Sequence, residues 1–85
     1  METGTIKVYG AAWCEETRQT LMDLQAIGVP YEYIDIEKDE RARQWVIERN
    51  GGIQRTPTVE VAGEILVEPS TYELGNIIRG VGMAG

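Results

Sequence analysis

Residues 6–20 read IKVYGAAWCEETRQT, and the change of character inside this stretch decides the fold. Ile6 to Tyr9 is a short β-prone run that stops at Gly10, as a strand does. From Glu15 to about Ile27 the residues favour a helix, with Thr17, Leu21 and Leu24 at helical spacing and Gly28 followed by Pro30 as the stop. Trp13 and Cys14 lie in the loop between, and Cys14 is the single cysteine of 85 residues. A strand, a tight loop and a helix put that sulfur at the helix mouth. Free N–H groups and the positive end of the dipole there favour a thiolate over a thiol. Glu15 and Glu16 act the other way, since carboxylates beside a sulfur oppose its ionisation. Arg18 and Arg55 would offset them if they point at the thiol.

Outward from this stretch the pattern continues. Tyr31 to Ile36 alternates aromatic or apolar residues with polar ones and reads as a second strand. Asp39 is placed to cap a second helix whose Ala42, Trp45 and Val46 share a face, and Asn50-Gly51-Gly52 ends it through a left-handed C-cap. Thr58–Val61 and Ile65–Val67 read as a hairpin joined by Ala62-Gly63-Glu64. Ser70-Thr71-Tyr72-Glu73 is a capping box opening a third helix, with Gly75 weakening its interior and residues 80–85 a frayed tail. The order is βαβαββα. That predicts one α/β domain over residues 1–85: a four-stranded mixed sheet with three helices on its two faces.

Composition narrows the chemistry. Hydrophobic residues at 42% and charged residues at 26% suit a soluble domain, so apolar positions read first as core. One cysteine rules out an internal disulfide, and a secreted domain of this size would need several; a reducing, cytoplasmic setting is expected. No segment approaches a membrane span, and METGTIKVYG lacks the order of a signal peptide. A net charge of −6 without a basic cluster disfavours nucleic acid and anionic membrane as partners. The absence of histidine removes the commonest general base and transition-metal ligand, so no metal site is expected.

A second signal lies in QRTPTVEV, residues 54–61, where Thr56-Pro57 immediately precedes a strand. Proline cannot donate to a ladder and belongs at a strand start or edge. A cis Thr56–Pro57 bond would turn the preceding N–H and C=O outward, so that an extended substrate can pair with them. Taken singly, a lone cysteine is as often an inert core residue, and such a proline is usually trans. The combination favours a redox site. Trp13, beside the thiol at a loop tip, reads as a half-exposed docking surface. Tyr31, Tyr33 and Trp45 read as packing, and residues 37–41 as a solvated loop and helix start.

These residues carry a resemblance. IKVYGAAWC, GVPYEYIDIEKD, WVIERNGG, TPTVEV and GEILVEPSTYEL, in this order from about Ile6 to Leu74, resemble glutaredoxin-like and mycoredoxin-like proteins of the thioredoxin superfamily. The resemblance implies the thioredoxin-like fold and reduction of disulfides, or of mixed disulfides with a small thiol, glutathione or mycothiol, as co-substrate. No bound cofactor is implied. It makes Cys14 the nucleophile, Pro57 the cis-proline and Thr56 the residue whose backbone pairs with substrate. Trp13, Thr17, Arg55, Ser70 and Thr71 complete the expected binding surface, the segment Glu68–Tyr72 holding the small thiol's carboxylate at a helix N-terminus. The chain also departs from the pattern. Thr17 replaces the resolving cysteine of dithiol members, which makes this a monothiol variant, its hydroxyl a candidate hydrogen-bond donor to the thiolate. Ala11 replaces a basic residue, Val67-Glu68-Pro69 replaces a Gly-Gly pair, and Glu-Glu-Thr after the cysteine is not the Gly-Phe-Ser of the iron–sulfur class. The expected protein is a monomeric monothiol oxidoreductase acting on oxidised or thiolated proteins. A non-catalytic binding module is the alternative, and an iron–sulfur carrier ranks last.

Overall fold

The computed structural model describes residues 6–81. The elements follow in the order β1 (Ile6–Gly10), α1 (Glu15–Ile27), β2 (Tyr31–Asp35), α2 (Glu40–Arg49), β3 (Thr58–Val61), β4 (Glu64–Val67) and α3 (Thr71–Gly80). Four strands form one sheet in the order β2-β1-β3-β4. β1 runs parallel to β2, while the β1–β3 and β3–β4 pairs are antiparallel. This is the βαβαββα architecture expected from the sequence.

The pleat sorts the core into two faces. Ile6 and Val8 point to one side with Val59 and Val61, and bury Leu24 of α1 together with Leu74 and Ile78 of α3. Tyr31 and Tyr33, opposite Ile6 and Val8 in the parallel register, pack on the rim of that cluster. Tyr9 points to the other side, where it meets Ile36, Ala42 and Val46 under α2. Each fully buried aliphatic side chain contributes about 1.5–3 kcal/mol relative to exposure. Trp45 stacks on Tyr9 with ring centroids 4.4 Å apart, and the Arg49 guanidinium sits 4.5 Å from the Trp45 ring.

Local signals explain where elements stop. Gly28, with φ +88°, supplies the left-handed C-cap of α1, and its N–H donates to Leu24 O at 3.0 Å. Asp39 caps α2 through Ala42 N at 3.0 Å. α2 ends at Asn50-Gly51-Gly52 through a left-handed cap, as the sequence predicts. Asn50 keeps a negative φ of −114°, and Gly51 and Gly52 take the left-handed conformation, which costs a residue without Cβ nothing. The hairpin is tighter than expected, because Glu64 already pairs with Val61. Ala62 and Gly63 both have positive φ, the signature of a two-residue type I′ turn, and the closing strand starts at Glu64 instead of Ile65. β2 ends at Asp35, one residue early, although Ile36 N still donates to Gly10 O at 3.0 Å. α3 runs through Gly75 to Gly80, so the expected fraying does not begin at Gly80; residues 82–85 lie outside the described residues.

Candidate active site

The antiparallel register Tyr9↔Thr58 sends the chain after β1 and the chain before β3 out of the same end of the sheet. Residues 11–14 and 55–57 therefore become neighbours although some forty positions separate them. Gly10 makes the first turn possible: a Cβ there would lie 2.5 Å from Thr17 Cγ2 and 2.6 Å from Thr17 Oγ1. With no side chain in the way, the chain doubles back, Cys14 N donates to Ala11 O at 3.0 Å, and Cys14 becomes the N-cap of α1.

The Cys14 side chain is 5% exposed. Thr56 Oγ1 donates to its sulfur at 3.4 Å, while Thr56 O at 3.6 Å and Glu16 Oε1 at 3.5 Å stand as acceptors for the thiol proton. The donor favours a thiolate, as does the helix end; the two acceptors favour the thiol. The Thr56–Pro57 bond is cis, as expected, and Glu68 N ties this loop to β4 by donating to Pro57 O at 2.8 Å. Glu68 makes that bond at φ +50°, a conformation favoured by glycine.

Other expected site residues have engagements of their own. Thr17 is buried and its hydroxyl accepts from Ala11 N at 3.4 Å, so Thr56 and not Thr17 supplies the hydroxyl bond to sulfur. Neither arginine is given over to the sulfur. Arg18 pairs with Glu15 and donates to Ala12 O at 3.1 Å, and Arg55 pairs with Glu68 at 3.7 Å. At the mouth of α3, Ser70 Oγ accepts from Glu73 N at 3.1 Å and the Glu73 carboxylate accepts from Ser70 N at 2.9 Å. The capping box thus brings the protein's own anion to that helix N-terminus. The Thr71 hydroxyl donates to Asp23 Oδ2 at 2.7 Å, joining α3 to α1.

Trp13 is 63% exposed, and its Nε1 donates to Glu37 Oε2 at 2.5 Å. The Glu37 amide in turn donates to Asp35 Oδ1 at 2.9 Å. Behind them lies Tyr33, whose hydroxyl is buried without a partner. Burial, then the charges of Asp35 and Glu37, then the Cys14 sulfur push that hydroxyl's pKa upward. One of these features escapes sequence reasoning: the sequence points to the Thr56 backbone, and only the fold shows its hydroxyl on the sulfur. Glu16 stands beside the sulfur, as its place in the first turn of α1 predicts.

Fold and site together define a class: a thioredoxin-like domain with one thiol at the N-cap of its first helix, held against a cis-proline loop. Comparison with known proteins narrows it. The family profile described as Glutaredoxin matches residues 6–66. A chain named as a glutaredoxin in Mycobacterium tuberculosis is 33% identical over 75 residues, covering 87% of this chain and 89% of that one. Mycoredoxin 1 of Corynebacterium glutamicum is 37% identical over 54 residues, 64% of this chain and 66% of that one. The crystal structure of a glutaredoxin from Archaeoglobus fulgidus superposes with a TM-score of 0.75 at 25% identity, over 91% of this chain and 88% of the other. This chain belongs to the glutaredoxin family, and its single cysteine makes it a monothiol form.

Proposed function

We propose that the protein is a monothiol glutaredoxin-like oxidoreductase that acts through Cys14 on mixed disulfides between proteins and a small thiol. The observation that carries this is the seat of the sulfur, at the N-cap of α1 with the Thr56 hydroxyl donating to it at 3.4 Å. In the first step the Cys14 thiolate attacks the small thiol's sulfur. A new S–S bond joins Cys14 to the small thiol, the old one breaks, and the target leaves as a thiolate that takes a proton from water. In the second step another small-thiol thiolate attacks the small-thiol sulfur of that adduct, releasing the symmetric small disulfide and returning Cys14 as a thiolate. One cysteine suffices for both steps. Trp13 offers the exposed face against which the target docks, and the Thr56 main chain beside Pro57 pairs with it. Arg55, Ser70, Thr71 and Thr17 line or brace the same edge. Glutathione or mycothiol is the co-substrate, and the protein works as a monomer in the cytoplasm. Among the described residues no helix is long and apolar enough to cross a membrane.

Mass spectrometry after exposure to oxidised glutathione and to oxidised mycothiol tests the proposal. We expect one adduct per chain, on Cys14, removed by the matching reduced thiol and absent in Cys14→Ser. No adduct with either would overturn it. A second reading, a binding module without turnover, is favoured by one observation: Glu16 and Thr56 O both accept from the thiol, and both nearby arginines are engaged by other carboxylates. It requires that Cys14→Ser bind target proteins as well as the parent while the parent shows no reductase activity.

A further inference from the structure

We propose that Glu16 is a specificity-determining residue of the Cys14 site, favouring disulfides whose flanking groups are cationic or uncharged over anionic ones. The inference rests on Cys14 being a working nucleophile, as proposed above.

The Glu16 carboxylate lies 3.5 Å from the Cys14 sulfur. Any disulfide that reaches Cys14 brings its substituents close to that charge. The charges around the sulfur do not cancel it. On α1, Arg18 is engaged by Glu15, and on the loop before β3, Arg55 is engaged by Glu68. From β2 and the turn after it come Asp35, Glu37 and the Tyr33 hydroxyl. The N-terminus of α3 would be the natural seat for a ligand carboxylate, but the Glu73 carboxylate already stands there, accepting from Ser70 N. Thr71, next in line, is bonded to Asp23. An anionic substituent entering here would meet Glu16 at short range, with Arg18 and Arg55 already paired.

The reacting atoms add to the effect. As the Cys14 thiolate attacks, one negative charge spreads over the nucleophilic, central and leaving sulfurs, and the leaving sulfur departs with the electron pair and takes a proton from water. The Cys14 sulfur is oxidised to the mixed disulfide and the leaving sulfur is reduced. A cation on either substituent offsets that charge and the charge of Glu16, while an anion adds a third negative group. Two unit charges roughly 6 Å apart in a water-like dielectric change a rate by about threefold. Going from a cationic to an anionic substituent reverses the sign, so Glu16 alone should contribute about tenfold to the ratio.

The test is the rate of Cys14 adduct formation with cystamine, hydroxyethyl disulfide and dithiodiglycolate, which carry cationic, neutral and anionic ends. The intact chain and the variants Glu16→Gln and Glu64→Gln are compared at one pH. The Glu64 variant removes the same charge from the start of β4, where Glu64 pairs with Val61 and Val61 with Ile6, at the other end of the sheet. We expect the cystamine to dithiodiglycolate ratio to fall by about tenfold in Glu16→Gln and to stay within about twofold in Glu64→Gln. In the parent, raising salt from about 0.1 M to 1 M, which shortens the Debye length from about 10 Å to 3 Å, should compress the ratio. A ratio that is flat across the series in the parent overturns the proposal, as does an equal fall in both variants, which would mean that net charge and not Glu16 sets the preference. Failure of all three disulfides to form an adduct would instead refute the redox function itself.

Discussion

The contact between Gly10 and Thr17 fixes where Cys14 stands, and Gly10→Ala tests it directly. The new Cβ would fall 2.5 Å from Thr17 Cγ2, 2.6 Å from Oγ1 and 3.1 Å from Cβ. Carbon atoms prefer about 3.5–4.0 Å, so the overlap is on the order of 1 Å. Two escapes exist. The helix can move off the strand, and overpacking of this kind costs about 1–3 kcal/mol. Alternatively Thr17 can rotate, breaking its bond to Ala11 N and leaving a buried N–H unpartnered at about 1–3 kcal/mol. Either way the loss should be about 2 kcal/mol, a fall in melting temperature of roughly 8–16 °C for a domain of this size. Thr17→Ala removes both closest atoms and costs about 1–2 kcal/mol by itself, through the lost methyl and hydrogen bond. In the double variant the added methyl meets only the Cβ of residue 17, so the combined loss should be at least ~1 kcal/mol smaller than the sum. Urea unfolding of the four proteins measures this cycle, with the Cys14 alkylation rate as a local readout. A Gly10→Ala variant within about 0.5 kcal/mol of the parent, or strict additivity in the cycle, would refute the close approach as the device that sets the loop.

Three further outcomes follow from geometry already described. Ala62→Asn should raise stability by roughly 0.5–1 kcal/mol in thermal unfolding, because Asn tolerates the φ of +50° at the first turn position and forms the preferred Asn-Gly pair with Gly63. Ser70→Ala should lower it by about 1 kcal/mol through loss of the capping box on α3, a change readable as weaker amide protection at Glu73. Tyr33→Phe should leave stability unchanged or raise it by up to about 1 kcal/mol near neutral pH, since it deletes a buried hydroxyl that has no partner. The same residue sets an alkaline limit. Burial first, and then nearby acidic groups, raise Tyr33 and Tyr9 in the folded chain above the ordinary value of 10.0. The unfolded chain therefore loses these protons first, and stability falls as pH rises. That contribution is complete below about pH 10 and is lost as pH passes through the folded values, less steeply in Tyr33→Phe. An unfolding curve that steepened instead would contradict it.

Much of the fold was legible because local chemistry and the tertiary solution agree. Gly28, Asp39 and Ser70 bound their helices as their residue types dictate, and Val8, Val59 and Leu24 fill positions that their spacing assigns to the core. The misses are confined to places where one residue decides between close alternatives. Whether Glu64 closes the loop or opens the strand depends on pairing that a linear chain does not display. The site was legible in part. The proximity of Cys14 to Thr56 follows from recognising two motifs and the order of the strands. The direction of each side chain does not: Thr17 turns to Ala11, Arg18 to Glu15 and Arg55 to Glu68, because each finds a nearer partner than the sulfur. Spacing along a chain predicts which groups gather; competition among them predicts who bonds to whom.

The two tryptophans report on different parts of the molecule. Trp45 lies stacked on Tyr9 beneath the Arg49 guanidinium, in the second core, and changes surroundings only when α2 leaves the sheet. Trp13 adjoins Cys14 in the chain, exposed and tethered to the solvent-facing Glu37 carboxylate. Its emission should respond to what is attached to, or docked against, the sulfur while the domain stays folded. The wild-type chain thus carries two native fluorophores, one reading occupancy and one reading integrity, and substitution of either indole by phenylalanine would separate the two signals without an added dye.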